Sequence, residues 1–229
     1  MPPGLRSGML PPVSAPVPDD LLDRVATLVK RRPRVLLGIA GAPAAGKSTL
    51  ATWLVSRLCA RGLPAVGVPM DGFHLADSAL DALGRRDRKG AVDTFDGHGY
   101  LALLRRLRAE QETTVYAPAF ERDLEQPVAG SIAVPPGTRI VVSEGNYLLL
   151  EEPPWPDVWG ALDEVWYVGL DDATRRARLL DRHVRFGKSP DAARAWVAAV
   201  DDPNAELIAA TSGRADLCLD TSGLDLRTD

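Results

Sequence analysis

The stretch Gly41-Ala42-Pro43-Ala44-Ala45-Gly46-Lys47-Ser48 carries the spacing G-x-x-x-x-G-K-[ST], a pattern that cradles phosphate. In such a turn the backbone N–H groups converge on an anion, and the helix that follows adds about half a positive charge at its N-terminus. Lys47 is placed to bridge the outer phosphates of a nucleoside triphosphate, and the Ser48 hydroxyl to hold Mg²⁺, with Thr49 next to it. Further groups are spaced to complete a phosphoryl-transfer site. Asp71, in Met70-Asp71-Gly72-Phe73-His74, is a carboxylate able to take the proton of an attacking hydroxyl. Asp-Gly is also a common turn pair, so a turn cap is the other reading. Glu144 follows the apolar run Ile140-Val141-Val142 and suits a carboxylate that holds Mg²⁺ directly or through water. A helix-capping or loop glutamate is the alternative. Arg175, Arg178, Arg182 and Arg185 fall at spacings of three, four and three, which lines one helix face. Such a row can clamp a transferring phosphoryl group, or it is a solvated basic face, a reading with most weight at Arg175. Arg182 and Arg185, beside Phe186-Gly187-Lys188, are the better lid candidates.

These groups need a scaffold that brings distant segments together. Arg34 to Ala40 is a short apolar run that reads as a buried strand, and Leu50, Leu54 and Leu58 recur at helical spacing until Gly62. Asp20 to Arg31 reads as an amphipathic helix capped by Asp19 or Asp20. A second strand is expected over Ala65 to Met70, ending at Asp71, with Pro69 limiting its last residues. Residues 77–99 read mostly as loop with a short helix, and Tyr100 to Gln111 as a helix. Residues 115–134 read as an irregular or β-hairpin excursion over one end of the sheet. Further strands are expected at Arg139 to Ser143, Glu164 to Leu170 and Ala215 to Leu219. Helices are expected at Asp172 to Phe186 and from Pro190 to Val200, continuing after Pro203. Strands alternating with helices predict an α/β fold, a three-layer α/β/α phosphate-loop architecture with a mostly parallel sheet and a helical lid over about 175–190. Ligands of such sheets bind beyond the carboxyl ends of the strands, where the phosphate loop, Asp71 and Glu144 all fall.

The chain has 229 residues and suits one domain over 20–229 behind a disordered Pro-rich leader at 1–19, with Met9 an alternative start. The leader has no apolar core of signal-peptide length, and no apolar run is long enough to span a membrane. These features predict a soluble, cytoplasmic protein. Its net charge of −4 argues against a broad nucleic-acid-binding surface; a small-molecule partner is expected, and a homodimer is left open. Cys59 and Cys218 read as buried thiols of a reducing compartment. Only Lys30, Lys47, Lys89 and Lys188 are lysine in an arginine-rich chain, which gives Lys47 and Lys89 added weight. Gly187-Lys188-Ser189 repeats the Gly-Lys-Ser triplet without a preceding strand and is a decoy. Asp96-Gly97-His98-Gly99 resembles a GTPase Asp-x-x-Gly but follows a loop. The histidines at 74, 98 and 183 are too scattered to suggest a zinc site, although His74 is close enough to Asp71 to touch substrate.

Taken together, GAPAAGKST at 41–49, MDGFH at 70–74, RKGAVDTFD at 88–96 and EGNYLLL at 144–150 resemble the phosphoribulokinase/uridine kinase family of phosphate-loop kinases. YAPAFERDLEQP (116–127) and RHVRFGK (182–188) follow in the expected order. Arg-Lys-Gly followed by Phe-Asp also looks like the corresponding loop of bacterial pantothenate kinases. The set is most similar to a subgroup described as nucleoside/nucleotide kinases or sugar kinases associated with fructose transport. The resemblance implies ATP and Mg²⁺ as cofactors. It implies that Asp71 activates the acceptor hydroxyl and that residues 41–49, with Arg178, bind ATP. It further implies that Ser48 and Glu144 associate with the metal and that Arg182 and Arg185 belong to the lid. Lys89, Tyr116 and Arg122 fall where relatives build the acceptor pocket, and His74 and Asn146 are further substrate-binding candidates. Val92 stands where the pantothenate-type pattern has proline, and the uridine-type pattern lacks Arg88-Lys89-Gly90. Neither acceptor is therefore assumed.

The expectation is an ATP·Mg²⁺-dependent kinase acting on a hydroxyl of a small metabolite. A nucleotide-binding regulator is a second reading, which has no need of Asp71 or the lid arginines. A nucleotide-monophosphate kinase is a third, kept open by Arg85, Arg86, Arg88 and Arg122. Residues 220–223 are candidates for a wall of the adenine pocket.

Overall fold

Runs of apolar residues that must be covered on both faces build the centre of the molecule. In the computed structural model, which describes residues 18–220 and 226, β1 (Val35–Ala40) and β5 (Ile140–Gly145) are buried throughout, as parallel strands with helices on both sides must be. Five parallel strands, β1, β5, β2 (Ala65–Gly67), β6 (Glu164–Gly169) and β7 (Leu217–Asp220), lie in the order β2-β5-β1-β6-β7. Successive side chains alternate between two cores. Val35, Leu37 and Ile39 of β1 face α1 (Pro18–Val29) and α2 (Lys47–Ala60). Leu36 and Ala40 face α4 (Gly97–Ala109), which follows the short α3 (Asp77–Leu83), together with α5 (Trp155–Ala161) and residues 115–134. The expected three-layer α/β fold with a mostly parallel sheet is therefore present.

Several boundaries differ from the expectations for identifiable reasons. The strand expected through Met70 ends at Gly67. Val68 N–H still reaches Val142 O at 2.9 Å, but Pro69 has no N–H to donate. The chain then tightens into a 3₁₀ turn, Met70–Phe73, so Asp71 stands on a turn four residues past the end of β2. The first helix begins at Pro18, which places Asp19 and Asp20 in its first turn instead of at a cap; Asp19 pairs with Arg61 at 2.6 Å. The leader's last two residues thus belong to α1, and its remainder lies outside the described residues. Asp96 caps α4 by accepting from Gly99 N–H at 2.7 Å, a structural use of the GTPase-like tetrapeptide. Cys218 is buried, but Cys59 is exposed on α2, and both are free thiols. Residues 155–161, not anticipated as a helix, form α5.

The excursion over 115–134 is a hairpin, β3 (Val115–Glu121) and β4 (Gln126–Val134), whose register shifts between Ala117 and Ala119. It docks on the Asp71 turn so closely that a Cβ on Gly72 would stand 2.3 Å from Pro118 O. After β6 the chain forms α6 (Asp172–Arg185) and α7 (Pro190–Trp196). The expected continuation past Pro203 is α8 (Asp202–Ala209), but a π-helical turn, Val197–Asp201, separates it from α7. Among the described residues no helix is long and apolar enough to cross a membrane.

Candidate active site

The phosphate loop leaves the end of β1 directly beside the end of β5, because Ile39 is in register with Glu144 and Ala40 with Gly145. Gly46 precedes α2 with φ +104°, a left-handed conformation that costs glycine little. Ala44 takes φ +63° without that freedom, at the crown of the loop. The loop is closed by Ala45 N–H to Ala42 O at 3.1 Å, and Leu50 N–H to Gly46 O at 3.0 Å starts the helix.

The neighbouring strand ends join the charged groups. Lys47 is buried, its Nζ donating to Ala42 O at 3.0 Å and to Asn146 Oδ1 at 2.8 Å. Ser48 Oγ donates to Glu144 Oε1 at 2.9 Å. Burial pulls the Lys47 ammonium below its ordinary range, against the pull of Glu144 and Asp71. Burial pushes the Glu144 carboxyl up and the Asp71 charge adds to this, outweighing Lys47 and the Ser48 hydrogen bond. Asp71, Glu144, Lys47 and Arg182 therefore share one crevice. A groove of about 440 Å³ opens beside the β2 edge with Ser48 and Glu144 at one end and Val55, Val68 and Pro69 along it.

His74 hooks back onto the Asp71 turn, with Nδ1 2.8 Å from Asp71 O. Its ring lies between Phe95, at 4.0 Å, and Phe120 of the hairpin, at 4.7 Å. Burial lowers the His74 pKa, which favours the neutral ring. Lys89 sits near the Phe120 ring at 5.4 Å but is bound to Asp77 Oδ1 at 2.6 Å. Arg122 opens the turn between β3 and β4 and lies within the electrostatic field of His74, Glu144 and Arg182. Tyr116 is not brought to this group: it is 59% exposed, alternating with the buried Val115 and Ala117.

The arginine row of α6 divides. Arg182 is partly buried and turned inward, where burial and the like charge of Arg122 disfavour its cation. Arg178 and Arg185 are exposed. Arg175 is neither solvated nor in the crevice's charge group: it is 3% exposed and bonded to Asp172 and Asp202 at 3.0 and 2.7 Å. The second Gly-Lys-Ser forms no phosphate loop. Ser189 caps α7, and Lys188 stands 4.5 Å from the Trp196 ring centroid. Of the adenine-wall candidates, Asp220 ends β7 and 221–223 lie outside the described residues.

Two contributors escaped sequence reasoning. Asp201, 7% exposed, ends the π turn and accepts or shares a hydrogen bond with His183 Nε2 at 2.8 Å, next to Arg182. π turns cluster at functional sites; the acidic pair before Pro203 was the available signal. Phe120 forms the His74 wall, and its signal was its place two residues before Arg122.

Residues 36–224 match the phosphoribulokinase/uridine kinase family. The chain is 38% identical over 175 residues, 74% of each sequence, to the Schizosaccharomyces pombe protein named "Putative uridine kinase C227.14". Among solved structures it resembles the "putative fructose transport system kinase" of Silicibacter sp. TM1040, with TM-score 0.78 and 37% identity over 86% of this chain and 98% of that one. The fold is also that of Saccharomyces cerevisiae YFH7, with TM-score 0.73 at 19% identity over 88% and 96% of the two chains. The chain accordingly belongs to the phosphoribulokinase/uridine kinase family and is a phosphotransferase of the P-loop kinase type.

Proposed function

We propose that this kinase transfers the γ-phosphoryl group of ATP to a hydroxyl of a small metabolite, with Asp71 as the base. The observation that carries the reading is the convergence of Asp71, Glu144, Lys47 and Arg182 on one crevice at the carboxyl ends of the strands. A triphosphate fits the loop: its anion supplies what the buried Lys47 ammonium lacks, since the ammonium otherwise meets only a backbone carbonyl and an amide oxygen. Ser48 and Glu144 offer hard oxygen donors of the kind Mg²⁺ takes, at a point where burial and the Asp71 charge disfavour that of Glu144. Bound there, Mg²⁺ would neutralise charge on the phosphates. Asp71 orients the acceptor hydroxyl and takes its proton, while His74, held neutral between two aromatic rings, shapes the acceptor wall. Lys47 and Arg182 stabilise the transferring phosphoryl, and α6 with the turn after it acts as the lid that excludes water. Arg185 and Arg178 would reach the nucleotide only as that lid closes. Residues 20–229 are read as one kinase domain working in the cytoplasm.

The monophosphate-kinase reading loses support because Arg85, Arg86 and Arg88 are held by Asp93, Asp77 and Asp81. The test is Mg·ATP-dependent ADP release over an acceptor panel of nucleosides, sugars, sugar acids, sugar phosphates, pantothenate and nucleoside monophosphates. Asp71→Asn should lower turnover about 10²–10⁴-fold with ATP binding retained. Unchanged turnover in that variant removes Asp71 from the mechanism. ATP binding that no acceptor stimulates, joined to nucleotide-dependent capture of a protein partner, would favour the regulator reading instead.

A further inference from the structure

Lys89 is held from both sides of its own backbone. The neighbouring Gly90 N–H donates to Thr94 Oγ1 at 2.9 Å, and Gly90 O accepts from the hydroxyl of the buried Tyr147, three residues beyond Glu144. From there the Lys89 ammonium reaches two further elements. It donates to Asp77 Oδ1 at 2.6 Å, at the start of α3, and to the backbone carbonyl of Glu125, in the turn of the β3–β4 hairpin. Asp77 is committed in turn: Arg86 holds its Oδ2 at 2.8 Å, and its N–H donates to Gln126 Oε1 at 3.1 Å. Ala76, which precedes α3, has no side-chain oxygen to satisfy that N–H, so the hairpin supplies one. Burial works against the Asp77 charge, but Lys89, Arg86 and Gln126 outweigh it and hold the carboxyl below its ordinary range.

The hairpin has use for such a hold. Its root lies in the core, with Val115, Ala117 and Val134 fully buried, whereas residues 121–125 are exposed. The ladder is interrupted between Ala117 and Ala119, so an irregular step joins the outer half to the root. Glu125, at the end of the turn, takes φ +50°, a conformation costly to a residue with a Cβ. The outer half meets the rest of the molecule through Phe120, whose ring lies 4.7 Å from that of His74, and through the bonds of Glu125 and Gln126 at α3. Lys89 serves both contacts, since its Nζ also stands 5.4 Å from the Phe120 ring centroid.

We infer that Lys89 is a positioning residue: it latches the tip of the β3–β4 hairpin to α3, keeps Phe120 against His74, and so fixes the wall of the acceptor crevice without holding the acceptor itself. An ammonium is a compact donor that can serve oxygens in different directions at once. Here one oxygen belongs to a carboxylate fixed on α3 and the other to the exposed turn. Loosening the latch frees the outer half of the hairpin, and the acceptor then binds only the fraction of molecules in which the wall is in place. The inference rests on the kinase reading for the acceptor's place; the latch contacts stand without it.

The experiment is amide hydrogen exchange of the ligand-free full chain, read over residues 119–128 against β1 and β5, together with steady-state kinetics. Lys89→Met removes the ammonium and keeps the stem. It should speed exchange of 119–128 roughly ten- to a hundredfold, as losing a charged hydrogen-bond partner does, with β1 and β5 unchanged. Asp77→Asn should speed the same residues by a smaller factor, and Lys89→Arg should restore part of the protection. The Lys89→Met/Asp77→Asn double variant should exchange no more than about twofold faster than Lys89→Met, because both changes break one contact. With an acceptor from the panel, Lys89→Met should raise the acceptor KM about two- to tenfold and leave KM for ATP within about twofold, since affinity falls only as the closed fraction does. Exchange that is unchanged in Lys89→Met, or that speeds equally in β1 and β5, overturns the inference. A raised acceptor KM with unchanged hairpin exchange would also overturn it and make Lys89 an acceptor ligand. Faster exchange with an unmoved acceptor KM would do so too, leaving Lys89 a purely structural residue. If no acceptor stimulates the parent chain, the kinase reading loses its support while the exchange arm still decides the latch. Unchanged exchange beside a working acceptor sinks this inference and leaves the kinase reading standing.

Discussion

Replacing Glu144 with glutamine should push stability and activity in opposite directions. The carboxylate is 8% exposed, accepts from Ser48 Oγ at 2.9 Å and shares its crevice with Asp71. Burial and then Asp71 oppose its charge and outweigh the three effects that favour it, Lys47, the Ser48 hydrogen bond and Arg122, so the folded protein holds the proton more tightly than the unfolded chain. A group whose pKa is raised on folding contributes stability that is complete below its unfolded value of 4.5 and is lost as pH rises through the folded value. At neutral pH the free protein therefore bears a cost that glutamine, of the same shape and still able to accept from Ser48, removes. Each kcal/mol recovered would raise Tm by about 2–4 °C in a chain of this size. On the proposed metal role of Glu144, the same change deletes a charge whose loss is of the kind that lowers metal affinity or activity by about 10–100-fold, or about 1.4–2.8 kcal/mol. The assays are Tm of the ligand-free protein between pH 4 and 8, and kcat/KM for Mg·ATP. Glu144→Gln should melt higher than the parent chain at pH 7.5, equally near pH 4, and turn over more slowly. A lower Tm at pH 7.5, or a gap that does not close in acid, would refute the electrostatic argument.

Gly72→Ala should place a methyl group 2.3 Å from the Pro118 carbonyl oxygen, where only backbone could yield. The expected cost is about 1–3 kcal/mol of stability with loosened hairpin docking, read as a raised KM for the acceptor with ATP affinity retained; unchanged Tm and KM would contradict the close contact. Asp201→Asn keeps the shape of the π turn but weakens its bond to His183. It should lower kcat about two- to tenfold through Arg182, with a smaller change in KM for ATP, and a loss confined to Tm would leave Asp201 a purely structural residue.

The candidate site was legible where its chemistry is local. The phosphate loop is contiguous, and a Gly-rich turn between a buried strand and a helix has few other uses, so Lys47 and Ser48 were readable from spacing alone. Glu144 was readable because a fully apolar run ending in an acid marks the tip of a buried strand. The arginine row was legible only as a row. Spacing of three and four puts four guanidiniums on one face, but it could not say that Arg175 would be taken by Asp172 and Asp202, or that Arg182 alone would turn into the crevice. Tyr116 and Phe120 show the same limit, since the register shift between Ala117 and Ala119 decides which aromatic of β3 reaches His74.

By itself the sequence determined the order of the sheet strands and of most helices, the parallel sheet and the phosphate loop, because hydrophobic period, glycine freedom and proline's missing N–H act within a few residues of chain. Only the tertiary structure decided the rest. It set Glu144 against Ser48 through the register of β1 and β5, and it paired Arg85, Arg86, Arg88 and Lys89 with Asp77, Asp81 and Asp93. Through the π turn it brought Asp201 to His183. Pairings of that kind join residues far apart in the chain, and their free energies depend on burial and on which charges meet, neither of which any local pattern encodes.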